Sequence, residues 1–240
     1  MVENHNKLMV RGGHLKKVNL KCFRGFTLAE VLITLVIIGV IAAMTIPTLI
    51  NKTNNQEYVS RLKKTYSTLA QATNKILAEE GSPNASIGGW AVDKDAFANM
   101  YKKYIGNVKE CEVGQRCFDS ISYDGLDGTK NFYGFMDDTI YKRLVLADGT
   151  FVNFYGPNTS CSWGQAADGP DAMGTTCGYI HIDVNGQKGP NIWGRDAFRF
   201  YLTEKGLFPT GCEYNSSNCK NSHSGQACTC VVIKDNAMNY

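Results

Sequence analysis

The sequence is poor in the groups that do catalysis. Of its 240 residues only four are histidine, and two of these, His181 and His223, lie beyond the first 25 positions. His181 stands beside apolar neighbours in a strand-like stretch, and His223 sits in a Ser/Asn-rich loop. No G-x-S-x-G, H-E-x-x-H or phosphate-loop pattern occurs. The chain therefore reads as a non-enzyme. Excess positive charge is equally scarce in the body. Residues 1–25 hold six Lys/Arg against one acid, Glu3, and the remaining 215 hold 19 basic and 21 acidic groups. A mildly acidic body argues against nucleic acid as an obligatory partner. There is no internal repeat, and from Val31 to Ile50 there is no charge at all.

That uncharged run is the first positive signal. Phe26–Ile50 reads FTLAEVLITLVIIGVIAAMTIPTLI, with Glu30 as its single charge. The 20 residues from Val31 span about 30 Å as helix, the thickness of a bilayer's hydrocarbon layer. Basic residues ahead of it predict a cytoplasmic N-terminus. A cleaved secretory signal fits poorly. The apolar run is too long, no A-x-A site follows, and Pro47 leads straight into an amphipathic helix. A carboxylate in such a segment costs several kcal/mol unless it is neutralised or paired. Glu30 has no Lys or Arg within reach on its own helix.

The junction Arg24-Gly25-Phe26-Thr27-Leu28-Ala29-Glu30, together with Gly39 and Pro47, resembles the processing site of type IV prepilins and type II secretion pseudopilins. The resemblance is strong over Gly25–Ile50 and fair to about Glu80. It implies a basic leader, residues 1–25, removed by a prepilin peptidase after Gly25, with N-methylation of the new Phe26 amine. It also implies that Glu30 pairs with that amine, usually of a neighbouring subunit, and sets register during assembly. Gly25 suits a peptidase cleft because its missing side chain permits close backbone approach. The bland alternative for Glu30 is a snorkelling interfacial acid. A 25-residue leader is long for this family; translation from Met9 would shorten it without touching the motif. The implied partners are the peptidase, other pilin or pseudopilin subunits and an inner-membrane assembly platform. The implied location is the bacterial inner membrane, single-pass with the head outside the cytoplasm, and then a cell-surface or periplasmic filament.

Beyond Lys52, a stripe of Tyr58, Leu62, Tyr66, Leu69, Thr73 and Ile76 keeps helical spacing, with Arg61, Lys63, Lys64 and Lys75 off it. One helix is predicted from Phe26 to about Glu79: 26–50 as transmembrane segment and filament core, 51–80 amphipathic, bent or loosened at Gly39 and Pro47. Gly81-Ser82-Pro83 ends it. Residues 81–240 form a globular, Cys-rich head, so the fold class is α+β. A long helix lies against a small antiparallel sheet, the lollipop shape that the resemblance implies. A helical turn or two is expected around Asp93–Tyr104. Strands are expected at Tyr141–Ala147, Thr150–Tyr155, Tyr179–Val184 and Thr229–Ile233, with a hairpin turn at Asp148-Gly149. Ile180, Ile182 and Val184 should face the helix.

Eight of the nine cysteines lie between Cys111 and Cys230, which suits disulfides made in an oxidising compartment. Removal of residues 1–25 would take Cys22 with it and leave no odd thiol. Local pairs are expected for Cys111 with Cys117 and Cys161 with Cys177. Cys212, Cys219, Cys228 and Cys230 allow three connectivities. Cys228 and Cys230, two apart on one strand face, are poorly placed to bond each other, which leaves crossings to Cys212 and Cys219. Zinc on these four with His223 is disfavoured by the spacing. The stretch Asp183–Phe198 resembles a C-terminal loop of pilin-like proteins, some of which hold calcium. Asp183, Asn185 and Asp196 are the candidate ligands, against a structural reading in which Asn185-Gly186 makes a turn and Asp196 caps a short helix. For function, a type IV pilus subunit leads because the Cys-rich head exceeds what a minimal pseudopilin needs. A type II secretion pseudopilin and a non-polymerising, membrane-tethered binding protein are the alternatives.

Overall fold

The computed structural model describes residues 25–106, 108–111, 121–130, 141–155, 158–162, 176–213 and 215–240. It divides into two compact units at Leu49/Ile50. Helix α1, Leu28–Glu80, passes through that division and continues unbroken through Pro47. Pro47 has no N–H for the i−4 carbonyl. Nearby threonines occupy carbonyls of the same turns: the Thr45 hydroxyl donates to Ile41 O (2.9 Å) and the Thr48 hydroxyl to Thr45 O (2.8 Å).

In the first unit the helix is apolar on all sides and solvent-facing. Thirteen large hydrophobic side chains between Val31 and Ile50 are more than 40% exposed, and none of the most apolar stretch is buried. A helix apolar all round is stable only inside a core or a membrane. By length and composition α1 can cross one.

In the second unit, Ile50–Tyr240, the rest of α1 buries Tyr58, Val59, Leu62, Thr65, Leu69, Ala72, Thr73 and Ile76. Tyr66 is half-buried and stacks on Phe200 with ring centroids 5.3 Å apart. Gly81 ends the helix with φ +81°, a conformation that glycine adopts without strain. Helix α2 is Lys94–Ile105, started by Asp93, whose side chain accepts from the backbone of Asp95 and Ala96 (2.8 and 2.7 Å).

Among the described residues six strands follow: β1 Lys109–Cys111, β2 Tyr141–Val145, β3 Phe151–Tyr155, β4 Thr176–Asp183, β5 Ala197–Thr203 and β6 Gly206–Pro209. They form one antiparallel meander in chain order. The fold is thus α+β. The Asp148-Gly149 turn closes β2–β3, with Gly149 at φ +84° and Leu146 N donating to Thr150 O (2.9 Å).

One face of the sheet carries Leu144, Val152, Phe154, Ile180, Ile182, Phe198, Phe200 and Leu202, all fully buried in the cluster that holds the buried residues of α1 and α2. The other face is buried too, but polar and aromatic. Register places Arg143, Asn153, His181 and Arg199 in one cross-strand row. The His181 ring stacks on Tyr155 (5.9 Å) and meets Trp193 edge-on (5.2 Å). Burial, and then the Arg199 charge, holds His181 well below the usual imidazole range, so it is neutral.

Two expectations change. Residues Thr229–Ile233 are not a strand but the first residues of helix α3, Thr229–Asp235. Disulfides join Cys212 to Cys230 and Cys219 to Cys228. Side chains two apart share a face in a strand but point about 200° apart round a helix, so helix lets neighbouring cysteines reach different partners. The second change is the hairpin β5–β6, which stands where the structural reading of Asp196 as a cap expects a short helix. Phe198, Phe200 and Leu202 alternate inward, and Gly206 at φ +140° turns the chain into β6. Cys161 bonds Cys177. Cys111 ends β1, and Cys117 lies outside the described residues.

The Cys212–Cys230 bond closes a loop of 18 residues around the α3 anchor. Replacing both by serine should lower head stability by about 3 kcal/mol, read as a fall in the denaturation midpoint of the oxidised protein. Reductant should then lower the wild-type midpoint more than the variant's.

Candidate assembly and processing site

The N-terminal motif sits at the start of α1. Thr27 precedes the helix, and its backbone N–H and hydroxyl both donate to Glu30 Oε2 (2.8 and 2.7 Å). The Glu30 N–H donates back to Thr27 Oγ1 (3.2 Å). This is a reciprocal capping box, Thr-x-x-Glu, which satisfies backbone donors that no helical carbonyl can reach. Neither reading of Glu30 from the sequence, partner of an amine or snorkelling acid, includes this cap. The signal for the box, threonine three residues before glutamate at the start of an apolar run, was nevertheless in plain view. Glu30 is thus held close to the bond that separates Gly25 from Phe26. Cutting that bond would place a new cation four residues from a preoriented carboxylate.

Gly25 and Gly39 have a negative property of use here. A Cβ built on either would meet nothing within 4 Å. No packing among the described residues calls for glycine at these positions, which leaves a requirement for it to something the chain contacts. Phe26 is 89% exposed.

The head candidates are distributed differently. Asp183, Asn185 and Asp196 do come together, in the stretch between β4 and β5. Asp183 Oδ1 accepts from the backbone of Asn185 (3.1 Å) and Gly186 (3.0 Å), and Oδ2 from the Tyr123 hydroxyl (2.5 Å). The Asp196 carboxylate accepts from the backbone of Asn191 (2.7 Å) and Ile192 (2.6 Å). Asp196 therefore ties the turn ahead of β5 rather than capping a helix.

Calcium needs six to eight oxygens. Here both carboxylates already hold N–H and O–H donors, and no group of three or more His, Cys, Asp or Glu suited to a metal occurs among the described residues. The donor set does not fit calcium; it is a hydrogen-bonded frame for the loop. The zinc alternative also falls, because Cys212, Cys219, Cys228 and Cys230 are consumed in disulfides.

Comparison with known families agrees with the N-terminal geometry. Residues 20–46 match the family model described as the prokaryotic N-terminal methylation motif. No curated protein and no solved structure matches the chain significantly. By class, this is a protein with an N-terminal apolar helix fitted to a membrane and an α+β head. More particularly, it carries the prepilin-type motif of type IV pilins and pseudopilins. That motif implies processing by a prepilin peptidase and polymerisation with pilin subunits, and with the apolar helix it fits anchorage in an inner membrane.

Two predictions follow from these geometries. Burial, and then the neighbouring Asp196, holds the Asp183 carboxyl well above the usual range. The folded head therefore keeps a proton that the unfolded chain releases above the ordinary aspartate value. That contribution to stability is complete at low pH and is lost as pH rises through the raised value. Asp183→Asn should remove this part of the pH slope, measured as the difference between variant and wild-type melting temperatures from pH 4 to 8. His181, depressed by burial, gives wild type and variant the same opposite slope at the acid end and cancels in the difference.

The second concerns Thr27 and Glu30. Thr27→Val deletes the side-chain half of the box and should cost the first turn about 1 kcal/mol, read as faster amide exchange at residues 28–31. Glu30→Val should leave membrane insertion intact or improved, because a costly carboxylate disappears, while filament yield collapses. Normal filament yield from Glu30→Val would refute pairing at this position.

Proposed function

We propose that this protein is the precursor of a type IV pilus or pilus-like filament subunit, stored in the inner membrane and polymerised through α1 after removal of residues 1–25. One observation carries the reading. The methylation motif lies on a capped helix whose next 20 residues are apolar on every side and packed against nothing. Thirteen exposed large side chains, at ~1.5–3 kcal/mol each on burial, cannot be left in water. Lipid satisfies that surface before assembly and the helices of neighbouring subunits satisfy it afterwards.

The Phe26 amine freed by cleavage, methylated in the family, would be neutralised by Glu30 of an adjoining subunit. In a dry filament core, a charge without its counterpart costs several kcal/mol. The disulfide-bonded head would then be the filament's outer surface. The head's extent, from the end of α1 to Tyr240 with three disulfides among the described residues, supports a surface-displayed pilus subunit over a secretion pseudopilin.

Processing supplies the test. Co-expression with a prepilin peptidase should remove residues 1–25, seen by mass spectrometry as a chain beginning at Phe26 with a methyl group on its amine. Gly25→Val should block the cut while leaving the fold unchanged, because a side chain there meets nothing in this chain. Imaging of sheared filaments and sequencing of their subunits then separates a pilus from a pseudopilus confined to the envelope. An intact leader on mature filaments would overturn the reading.

A further inference from the structure

The polar side of the membrane segment carries an arrangement that filament assembly does not explain. Asn51 is the first polar residue after the apolar run, and Lys52 follows it, exposed. Arg195 lies in the turn between Ile192 and β5, where its backbone N–H donates to Ile192 O (3.0 Å). Its Nη2 donates to Asn51 Oδ1 (3.5 Å), which brings this turn of the head to the end of the membrane segment.

No carboxylate pairs with Arg195 among the described residues. Its Nε is buried without an acceptor. The Tyr240 hydroxyl, bonded to Gly194 O, and the Tyr58 phenol lie close enough to feel its charge. The guanidinium is therefore buried at its Nε end, and no carboxylate among the described residues takes its Nη donors. Lys188 is exposed on the adjoining turn, which Asn185 fixes to α1 by donating to Gly189 O (3.0 Å) and to the Tyr58 hydroxyl (3.3 Å). Glu57, on the same helix as Asn51, is paired with Arg61 (2.8 Å).

Residues one and two positions beyond a 20-residue apolar helix fall in the headgroup layer, which adds roughly 5–8 Å on each side of the hydrocarbon. Cations on the outer side of a single-pass segment run against the usual bias toward cytoplasmic Lys and Arg, so topology does not account for them. A planar guanidinium with free donors suits a phosphate bidentately.

We propose that Arg195, with Lys52 and Lys188, forms a phosphate-binding collar that seats the head on anionic phospholipid headgroups around α1. This rests on the membrane-inserted reading above. Seating the head on lipid would hold the subunit upright in the bilayer and release it when α1 leaves the membrane. The lipid phosphodiester is the commitment, because the site adjoins the end of the hydrocarbon span rather than an open cleft.

The test uses the full chain in bilayers of phosphatidylcholine containing spin-labelled phosphatidylglycerol or spin-labelled phosphatidylcholine. The fraction of motionally restricted label gives the relative affinity at the protein surface. Wild type should prefer phosphatidylglycerol several-fold at low salt. Arg195→Gln should lower the preference by about fivefold, the value of one cation at an anionic surface. Lys52→Gln, an exposed position, should lower it in the same direction and guards against misfolding of the Arg195 variant. Intrinsic fluorescence of the buried Trp193 checks that fold directly.

Arg195→Lys should retain part of the preference. Equal affinity for the two lipids in wild type, or a preference untouched by both glutamine substitutions, overturns the collar. Inorganic phosphate at constant ionic strength should leave the preference unchanged; effective competition would mean a site for free phosphate and overturn the lipid assignment. Failure of wild type to enter either bilayer overturns the membrane-inserted reading itself. It is told apart by loss of protein from the bilayer fraction.

Discussion

A single constraint governs this protein: an apolar helical surface of 20 residues that water cannot accommodate, with one carboxylate at its start. Apolar side chains on every face of α1 leave it two stable environments, lipid or other helices like itself. At that start Glu30 is held by the Thr27 hydroxyl and backbone N–H, a local arrangement that satisfies the carboxylate without a counterion. This cap requires Glu30 three residues after Thr27.

The head answers a different problem. It must cover the apolar stripe of α1 beyond Ile50. The sheet's inward face does this, with Phe200 stacked on Tyr66 and Ile180, Ile182 and Phe198 in the same core. Its opposite face is unusual in burying charge. Arg143, Asn153, His181 and Arg199 run across four strands among aromatic rings. Arg199 lies over the Tyr179 and Tyr201 rings at 5.4 and 5.8 Å and donates to Gln226 (2.5 Å). Buried polar groups with such partners restrict strand register, because slipping β2 or β5 by one residue would turn Arg143 or Arg199 toward the apolar core.

Covalent bonds handle the C-terminal part. Thr229–Asp235 is rich in β-branched residues, whose own preference is extended backbone. Helix wins there because Cys228 and Cys230 are each bonded elsewhere, and because Thr229, Cys230, Val231 and Val232 are all buried against the sheet. Thr210 joins the same knot, its hydroxyl donating to Gln226 O (2.5 Å) and Cys230 N donating to Thr210 O (2.9 Å).

Much of this was legible from residue order alone, wherever the physics is local. The apolar run, the stripe from Tyr58 to Ile76, the stop at Gly81 and the Asp148-Gly149 hairpin depend on contacts a few residues apart, and periodicity or turn chemistry states them directly. The capping box is equally local, a threonine three residues before a glutamate at the start of an apolar run. The rest depends on which distant segments meet. Asp183 and Asp196 looked like cation ligands in one dimension, yet the Tyr123 hydroxyl, sixty residues upstream of Asp183, and the turn amides at 185–186 and 191–192 claim their oxygens. The pairing of four C-terminal cysteines, helix in place of strand at Thr229, and the meeting of Arg195 with Asn51 were decided by tertiary structure. Each is set by the position of a partner 9 to 144 residues away, and nothing in local composition encodes that separation.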